Sequence, residues 1–413
     1  MNVAHLSCGV EGGADIAAVR IHRALMSAGV NSKFYHLGHA SPDDTFTRFY
    51  AREGMTDLVK RWLNIYKNRF VYGRIKPGTE AFTDPWGNFN LTFDQLNFSD
   101  VQVITLHWIA AYFNLKPFLE SVPANVKFVW TMHDLNPITG GCHYTAGCNK
   151  FEAECRECPQ LYNDGIVDRA LKNFRIKADA YRQYLKGRVH LVADSYWMGE
   201  MIKRSKLLGN EPLSVIHYPI ETNAFRYIGK NEARKALGLD PNRFILLFGS
   251  GALDNVRKGI DILIDALREV SDPALLSQLQ LLTFGSGNMN KLMNGLDVRS
   301  FGKVSAHELL TLLYNAADYF IMPSREEALG QTAMEAVCCG TPVISFPVGG
   351  LRDTVDASNG IFAEAIDKHS LALAITSAFK TEFNREEISK RARNRYAYDV
   401  KVQEYLKVYK SLL

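Results

Sequence analysis

Pro323–Gly350, PSREEALGQTAMEAVCCGTPVISFPVGG, follows the short apolar run Tyr319–Met322, which reads as a buried strand. Gly330–Cys339 then reads as a helix, and Gly340-Thr341-Pro342 stops it. Val343–Phe346 is the next apolar strand, and Gly349-Gly350 is a turn. Strand, loop, helix and strand in this order predict a doubly wound α/β unit on a parallel sheet. Ligands of such sheets lie beyond the carboxyl ends of the strands, so the loop Ser324–Gly330 is placed where a ligand is expected.

Two glutamates frame this unit, Glu327 in the loop and Glu335 in the helix. Were both helical they would stand roughly 12 Å apart along the axis, a poor fit to a carboxylate pair flanking one glycosidic bond. The spacing suits one extended ligand held at each end by a carboxylate. Gly330 at the helix start lets backbone N–H groups approach an anion. A carboxylate such as Glu335 suits paired ribose hydroxyls, and together these features suggest a nucleotide diphosphate. The other reading of the same residues is a pair of solvated charges at the helix ends.

A chain of 413 residues is expected to form two domains or three. Hydrophobic residues at 47% and charged residues at 22% give the profile of a soluble globular protein. No apolar run reaches the length of a membrane span. The start MNVAHLSCGV lacks the basic region and long apolar core of a secretion signal. A net charge of +4 argues against a dedicated nucleic-acid binder while allowing a local basic patch. Seven cysteines, an odd number, suggest the reducing cytoplasm.

Along the first half, Asn2–Leu6 reads as a strand, Gly9–Ala14 as a glycine turn and Ile16–Ala28 as a helix. This geometry lets a ligand approach the backbone, although the dinucleotide spacing G-x-G-x-x-G is absent. The stretch 57–76 interleaves basic and aromatic residues and can lie on an anionic membrane surface or form a solvated helix with one core face. Val101–Trp108 and Val126–Met132 read as strands that end near His107 and His133, at the site edge of the sheet. Cys142, Cys148, Cys155 and Cys158 have the pattern C-x5-C-x6-C-x2-C. Four such thiols suit a tetrahedral structural zinc site or a compact loop of reduced cysteines.

The polar stretch Glu221–Asp240 reads as a linker and hinge. In the second half the strand Phe244–Phe248 runs into Gly249-Ser250-Gly251, and Arg257-Lys258-Gly259 precedes the helix Ile260–Val270. Basic groups beside a glycine loop at a strand end suit a diphosphate and a leaving nucleotide. They also read as surface charges. Glu386–Leu413 reads as one long charged amphipathic helix.

Glu327-Ala328-Leu329-Gly330-Gln331-Thr332-Ala333-Met334-Glu335 resembles the E-x7-E motif of retaining GT-B glycosyltransferases of family GT4. Cys339-Gly340-Thr341-Pro342-Val343-Ile344 is similar to the family's segment just after that motif. Thr131-Met132-His133-Asp134 resembles the family's histidine beside the transferred sugar, and Lys258-Gly259 its phosphate-binding lysine. The cysteine cluster running on to Pro159-Gln160-Leu161 resembles the bacterial surface-polysaccharide subgroup, including the colanic-acid type enzymes.

This resemblance implies an α/β GT-B fold, two facing Rossmann-like doubly wound domains with a cleft between them. Residues 1–221, with the cysteine-rich loop 140–160, are the expected acceptor domain. Residues 222–385 are the expected nucleotide-sugar domain, and 386–413 a helix crossing back to the first. The implied activity is retaining transfer from a UDP- or GDP-sugar to a lipid-linked or polysaccharide acceptor, with no cofactor required for catalysis. Glu327, His133 and Lys258 are the implied catalytic set. Gly12, Gly13, Arg257, Lys258, Val304, Leu329, Gly330, Gln331 and Glu335 are the implied donor contacts, and His107 an acceptor-side candidate. Arg257 is the candidate replacement for the family's arginine, near whose usual place Ser250 stands. Pro85–Phe98 is the expected acceptor-side loop. The implied location is the cytoplasm, peripheral to the inner face of the membrane.

Three rivals remain at this level. A nucleotide-sugar epimerase shares the architecture and needs no separate acceptor. A non-catalytic scaffold round a zinc loop would not need both glutamates, His133 and Lys258. A nicotinamide oxidoreductase would carry the dinucleotide fingerprint that this chain lacks.

Overall fold

The computed structural model describes residues 1–37, 44–48, 71, 74–87, 90–287 and 295–413. The described residues cluster into two compact units, Met1–His217 with Val402–Leu413, and Tyr218–Lys401. The basic aromatic stretch 57–76 lies outside the described residues except at 71 and 74–76.

The first unit is built on the strands β1 (Asn2–Leu6), β2 (Asn31–His36), β3 (Phe46–Arg48), β4 (Val103–Leu106), β5 (Lys127–Met132), β6 (Val189–Ala193) and β7 (Leu213–Val215). They form one sheet in the order β3-β2-β1-β4-β5-β6-β7, and every pairing is parallel. Parallel strands covered on both faces need apolar side chains on both faces, and Val103, Ile104, Phe128, Val129, Leu191 and Val192 are all buried. The helix Gly13–Ser27 buries Ala17, Ala18, Ile21 and Leu25. Val402, Tyr405, Val408 and Tyr409 from the chain end are buried too, and the Tyr409 hydroxyl lies 2.6 Å from Thr105 Oγ1 on β4.

The second unit carries β8 (Phe244–Ala252), β9 (Leu279–Ser286), β10 (Val298–Ser300), β11 (Tyr319–Met322), β12 (Val343–Ser345) and β13 (Gly360–Phe362). The sheet order is β10-β9-β8-β11-β12-β13, again parallel throughout. Its core joins Leu246, Leu263, Leu267, Ile344, Leu371 and Ile375. Each such side chain contributes about 2 kcal/mol through removal of apolar surface from water.

In each sheet the strand order reverses once, between β1 and β4 in the first and between β8 and β11 in the second. These are the switch points where the connections diverge and leave a crevice beyond the strand ends. The glycine turn after β1, His107 after β4, the loop after β8 and the loop after β11 therefore all fall at the site edge of their own sheet.

Two expectations need correction. Glu221–Asp240 is not simply a linker, because Lys230–Leu237 forms a helix. Its Arg234 is buried and donates to Asp318 Oδ2 at 2.7 Å and to the Ala316 carbonyl at 2.9 Å. The tail Glu386–Leu413 is two helices, Arg385–Tyr396 and Tyr398–Leu412, broken at Ala397 in extended backbone. The Ile220 N–H donates to the Tyr396 carbonyl at 2.8 Å, and Ile220 bridges Ala397 as a strand would, so the helical ladder stops there.

Candidate functional site

Lys258 and Glu327 are brought together in the second unit. The turn Val256–Lys258 ends at Gly259 in the left-handed region, φ 72°. A Cβ there would fall 2.0 Å from the Pro323 carbonyl oxygen, so only glycine lets this turn close on the start of the β11 loop. The two loops are then cross-tied. The Arg325 N–H donates to the Arg257 carbonyl at 2.8 Å. The Arg257 guanidinium donates to the Glu326 carbonyl at 2.8 Å. The Arg325 guanidinium grips the Asp261 carboxylate through two bonds of 2.9 and 2.6 Å.

This bracing sets the charges. Glu327 Oε2 accepts from Lys258 Nζ at 2.6 Å, Arg257 Nη1 at 3.1 Å and Ser324 Oγ at 3.3 Å. Glu327 is 6% exposed. Burial pushes its carboxyl up, but the Lys258 and Arg257 charges outweigh burial and hold it at about 2. Behind it, Gly349 has φ 50°, and a Cβ would fall 1.8 Å from the Glu327 carbonyl oxygen. The Gly350 N–H donates to that same oxygen at 3.0 Å. The Gly349-Gly350 turn thus fixes the backbone of the residue whose side chain holds the two cations.

Gly330, φ 87°, starts the helix Gln331–Cys338 as its N-cap, and Leu329 is buried while Gln331 is half-buried. Glu335 is buried in this helix and accepts from the Tyr314 hydroxyl at 2.9 Å. Val304 is half-buried in the loop after β10. Ser250 donates to the Ala252 carbonyl at 2.5 Å, which keeps the end of β8 folded on itself. Arg257, Lys258 and Glu327 are therefore one cluster, and Glu335 is tied to Tyr314.

In the first unit Gly12 is the N-cap of the helix that begins at Gly13. Sequence reading missed Asp15, whose buried carboxylate gathers this turn. It accepts from Ser7 Oγ at 2.7 Å, the Gly9 N–H at 3.0 Å and the Gly12 N–H at 3.2 Å. Its signal was present in the sequence, an acid three residues after the cap position, where a side chain reaches back to the cap N–H.

His133 is 7% exposed, and burial pushes its pKa down to about 4, against the pull of Asp134. Asp134 accepts from Trp108 Nε1 at 2.7 Å and the Asn136 N–H at 2.8 Å, and lies 2.6 Å from His143 Nδ1. A cavity of about 30 Å³ is lined by His107, His133, Asp134 and Lys177 among others. The acceptor-side expectation for His107 is corrected. It is 2% exposed, and both its ring nitrogens are engaged, with His5 at 2.8 Å and His133 at 3.0 Å.

Cys142, Cys148, Cys155 and Cys158 are free thiols. Cys142 and Cys158 are joined by a thiol hydrogen bond, which holds the Cys142 thiol protonated and brings Cys158 down to about 7. Burial pushes Cys155 up to about 11. Among the described residues no group of three or more His, Cys, Asp or Glu is placed to hold a metal ion. Lys177, unremarked in the sequence, is buried beside this loop and donates to the Asn136 and Thr139 carbonyls at 2.5 and 3.1 Å. Of the basic residues in 57–76, Arg74 pairs with Asp164 at 2.8 Å and Lys76 donates to the Pro159 carbonyl at 2.9 Å. Among the described residues no helix is long and apolar enough to cross a membrane.

Residues 229–395, which carry the Lys258–Glu327 cluster and Glu335, match the family model "Glycosyl transferases group 1". This segment is similar to the group 1 glycosyl transferases. A D-inositol 3-phosphate glycosyltransferase of Geodermatophilus obscurus is 33% identical over 184 residues, 40% of this chain and 40% of that one. The match thus spans well under half of that relative. WcaC of Escherichia coli, named provisionally as a colanic acid biosynthesis glycosyl transferase, is 23% identical over 424 residues, 97% of each chain. The crystal structure of Anabaena HepE in complex with UDP and glucose superposes with a TM-score of 0.66 at 16% identity, covering 100% of both chains. The two Rossmann-like units are those of the GT-B fold.

Proposed function

We propose that this protein moves a sugar, with retention of configuration, from a nucleotide-diphosphate sugar to a lipid-linked or polysaccharide acceptor in bacterial surface polysaccharide synthesis. The observation that carries the reading is the Glu327 carboxylate held between Lys258 and Arg257 at the carboxyl end of β11. Two cations on one carboxylate gather positive charge close to a helix N-terminus that favours anions. A departing diphosphate needs this kind of preorganised charge.

In this reading Lys258 and Arg257 meet the diphosphate, helped by backbone N–H groups about Gly330. Glu335, oriented by Tyr314, takes the ribose hydroxyls. Glu327 positions the sugar and the two cations. His133 is assigned to the transferred sugar on the resemblance, and the turn at Gly12-Gly13 to the diphosphate and acceptor. The departing phosphate deprotonates the acceptor on the same face, so no side-chain nucleophile is required. The UDP and glucose of the HepE complex support a UDP-sugar as the first donor to try. The full-length likeness to WcaC supports a surface polysaccharide and, with it, work at the cytoplasmic face of the membrane.

The test is thermal shift with UDP, GDP, ADP and their common sugars on wild type and Glu335→Ala. Stabilisation by one nucleotide, lost in the variant, is expected. The stabilising donor, labelled in the sugar, is then incubated with lipid and glycan acceptors. Label on an acceptor supports the reading, whereas label recovered only as an epimeric donor overturns it in favour of an epimerase.

A further inference from the structure

Trp108 stands just beyond β4, at the point between β1 and β4 where the strand order reverses. Its carbonyl accepts from the Cys8 N–H at 2.8 Å, which sets it beside the glycine turn that follows β1. Trp108 is half-buried, whereas Trp130 of β5 is fully buried. The Trp108 indole N–H donates to Asp134 Oδ2 at 2.7 Å.

A chain of side chains stands behind that one bond. Lys177 Nζ lies 3.2 Å from Asn136 Oδ1, and a lysine only donates, so Asn136 turns its amide nitrogen to Thr83 Oγ1 at 2.9 Å. Thr83 Oγ1 is 2.7 Å from His143 Nε2, and His143 Nδ1 is 2.6 Å from Asp134 Oδ2. An ionised carboxylate only accepts, so His143 carries a proton on Nδ1. This nitrogen and Trp108 Nε1, 3.3 Å apart, converge on one carboxylate oxygen. Burial pushes the Asp134 carboxyl up, but the His143 contact and the donated bonds outweigh it and hold the group below its ordinary value. Asp134, Asn136, His143 and Lys177 are all buried. Apolar residues fill a core at lower cost than such a network, which fits a demand for orientation at its half-buried end.

We propose that Trp108 is a platform on which a pyranose of the acceptor packs its C–H face, with Asp134 and His143 as positioning residues that hold the indole plane. An indole tied at its polar edge offers an apolar face, and a sugar ring has an apolar C–H face of matching size. The acceptor-side role expected of His107 thus moves to its neighbour at the same strand end. The negative charge of Asp134 beside the indole favours a neutral sugar over an anionic one. The word acceptor rests on the transferase reading, while binding of a sugar ring at Trp108 does not.

The test is 19F NMR on protein labelled with fluorotryptophan, the Trp108 signal being assigned by its loss in Trp108→Phe. Methyl glycosides of glucose, galactose, mannose and fucose are titrated in, alone and with UDP present. One or more is expected to shift the Trp108 signal in a saturable way, and no shift with any of them overturns the proposal without any further variant. Trp108→Leu removes the plane and is expected to weaken that glycoside about ten-fold, with the melting temperature little changed. Unchanged glycoside affinity in Trp108→Leu overturns the platform. His143→Asn keeps a donor at the place of Nδ1 and is expected to bind as wild type does. His143→Leu is expected to broaden or split the Trp108 signal and to weaken the glycoside about three-fold. A sharp, unmoved Trp108 signal in His143→Leu overturns the positioning role. A saturable shift in a wild type that transfers no sugar overturns the transferase reading and leaves the platform standing.

Discussion

The Lys258 ammonium stands 2.6 Å from Glu327 Oε2, and Arg257 Nη1 reaches the same oxygen at 3.1 Å. The carboxylate therefore serves two cations at once, and a bound diphosphate would share them. Glu327→Gln removes the carboxylate that both cations share in a mostly buried place. Under the proposed function, turnover is expected to fall about 100-fold or more. Near-normal turnover would contradict the assignment.

The same pair predicts how stability depends on acid. The Glu327 carboxyl titrates at about 2 in the fold against an ordinary 4.5. Its stabilisation is therefore complete above the ordinary value and is lost as pH falls toward the folded one. Wild type is expected to exceed Glu327→Gln by about 2–3 kcal/mol near neutrality. That gap should close as pH drops from about 5 to about 2. Thermal melts of both proteins across this range are the check, and a constant gap would remove the ion pair as its cause.

Tyr314→Phe deletes the hydroxyl that donates to Glu335 at 2.9 Å. A lost bond of this kind is worth about 1 kcal/mol, so nucleotide affinity is expected to weaken about 5-fold. Calorimetric titration with the nucleotide found in the thermal-shift screen decides it. Unchanged affinity would mean that the Tyr314 hydroxyl does not orient Glu335 for the nucleotide.

Gly349→Ala forces a Cβ onto the Glu327 carbonyl oxygen from a left-handed backbone. The expected cost is at least about 2 kcal/mol in denaturant unfolding, with turnover falling further than stability alone explains. A variant that unfolds at the wild-type midpoint would show that the turn relaxes without disturbing Glu327.

Asp15→Leu takes the shared acceptor from Ser7, Gly9 and Gly12. A loss of about 2–3 kcal/mol is expected, because buried donors are left unmade. Asp15→Asn, which keeps one acceptor oxygen, should cost about half as much. Equal losses for the two variants would point to charge rather than hydrogen bonding.

Much of the architecture was legible in the sequence. Tyr319–Met322 and Asn2–Leu6 are strands with the bounds their apolar runs predict, and Gly330 starts a helix as its glycine suggests. The tail was misread because its helical composition runs through Ala397, whereas the break comes from the Ile220 backbone, far away in sequence. The cysteine spacing likewise fixes how close four thiols lie along the chain without fixing whether they converge. In the fold the Cys142 and Cys158 thiols share a hydrogen bond.

The chain order of strands, turns and helices, and the residue types at their ends, were set by local sequence: apolar runs, glycine stops and the E-x7-E spacing are local chemistry. Tertiary structure alone decided which of those ends meet. Lys258 finds Glu327 across 69 residues, and His107 finds His5 across 102. In a parallel sheet the carboxyl ends of strands distant in sequence lie side by side, and the place where strand order reverses gathers their loops. Pairings made there depend on which strands become neighbours, a property of packing that no single stretch of the chain contains.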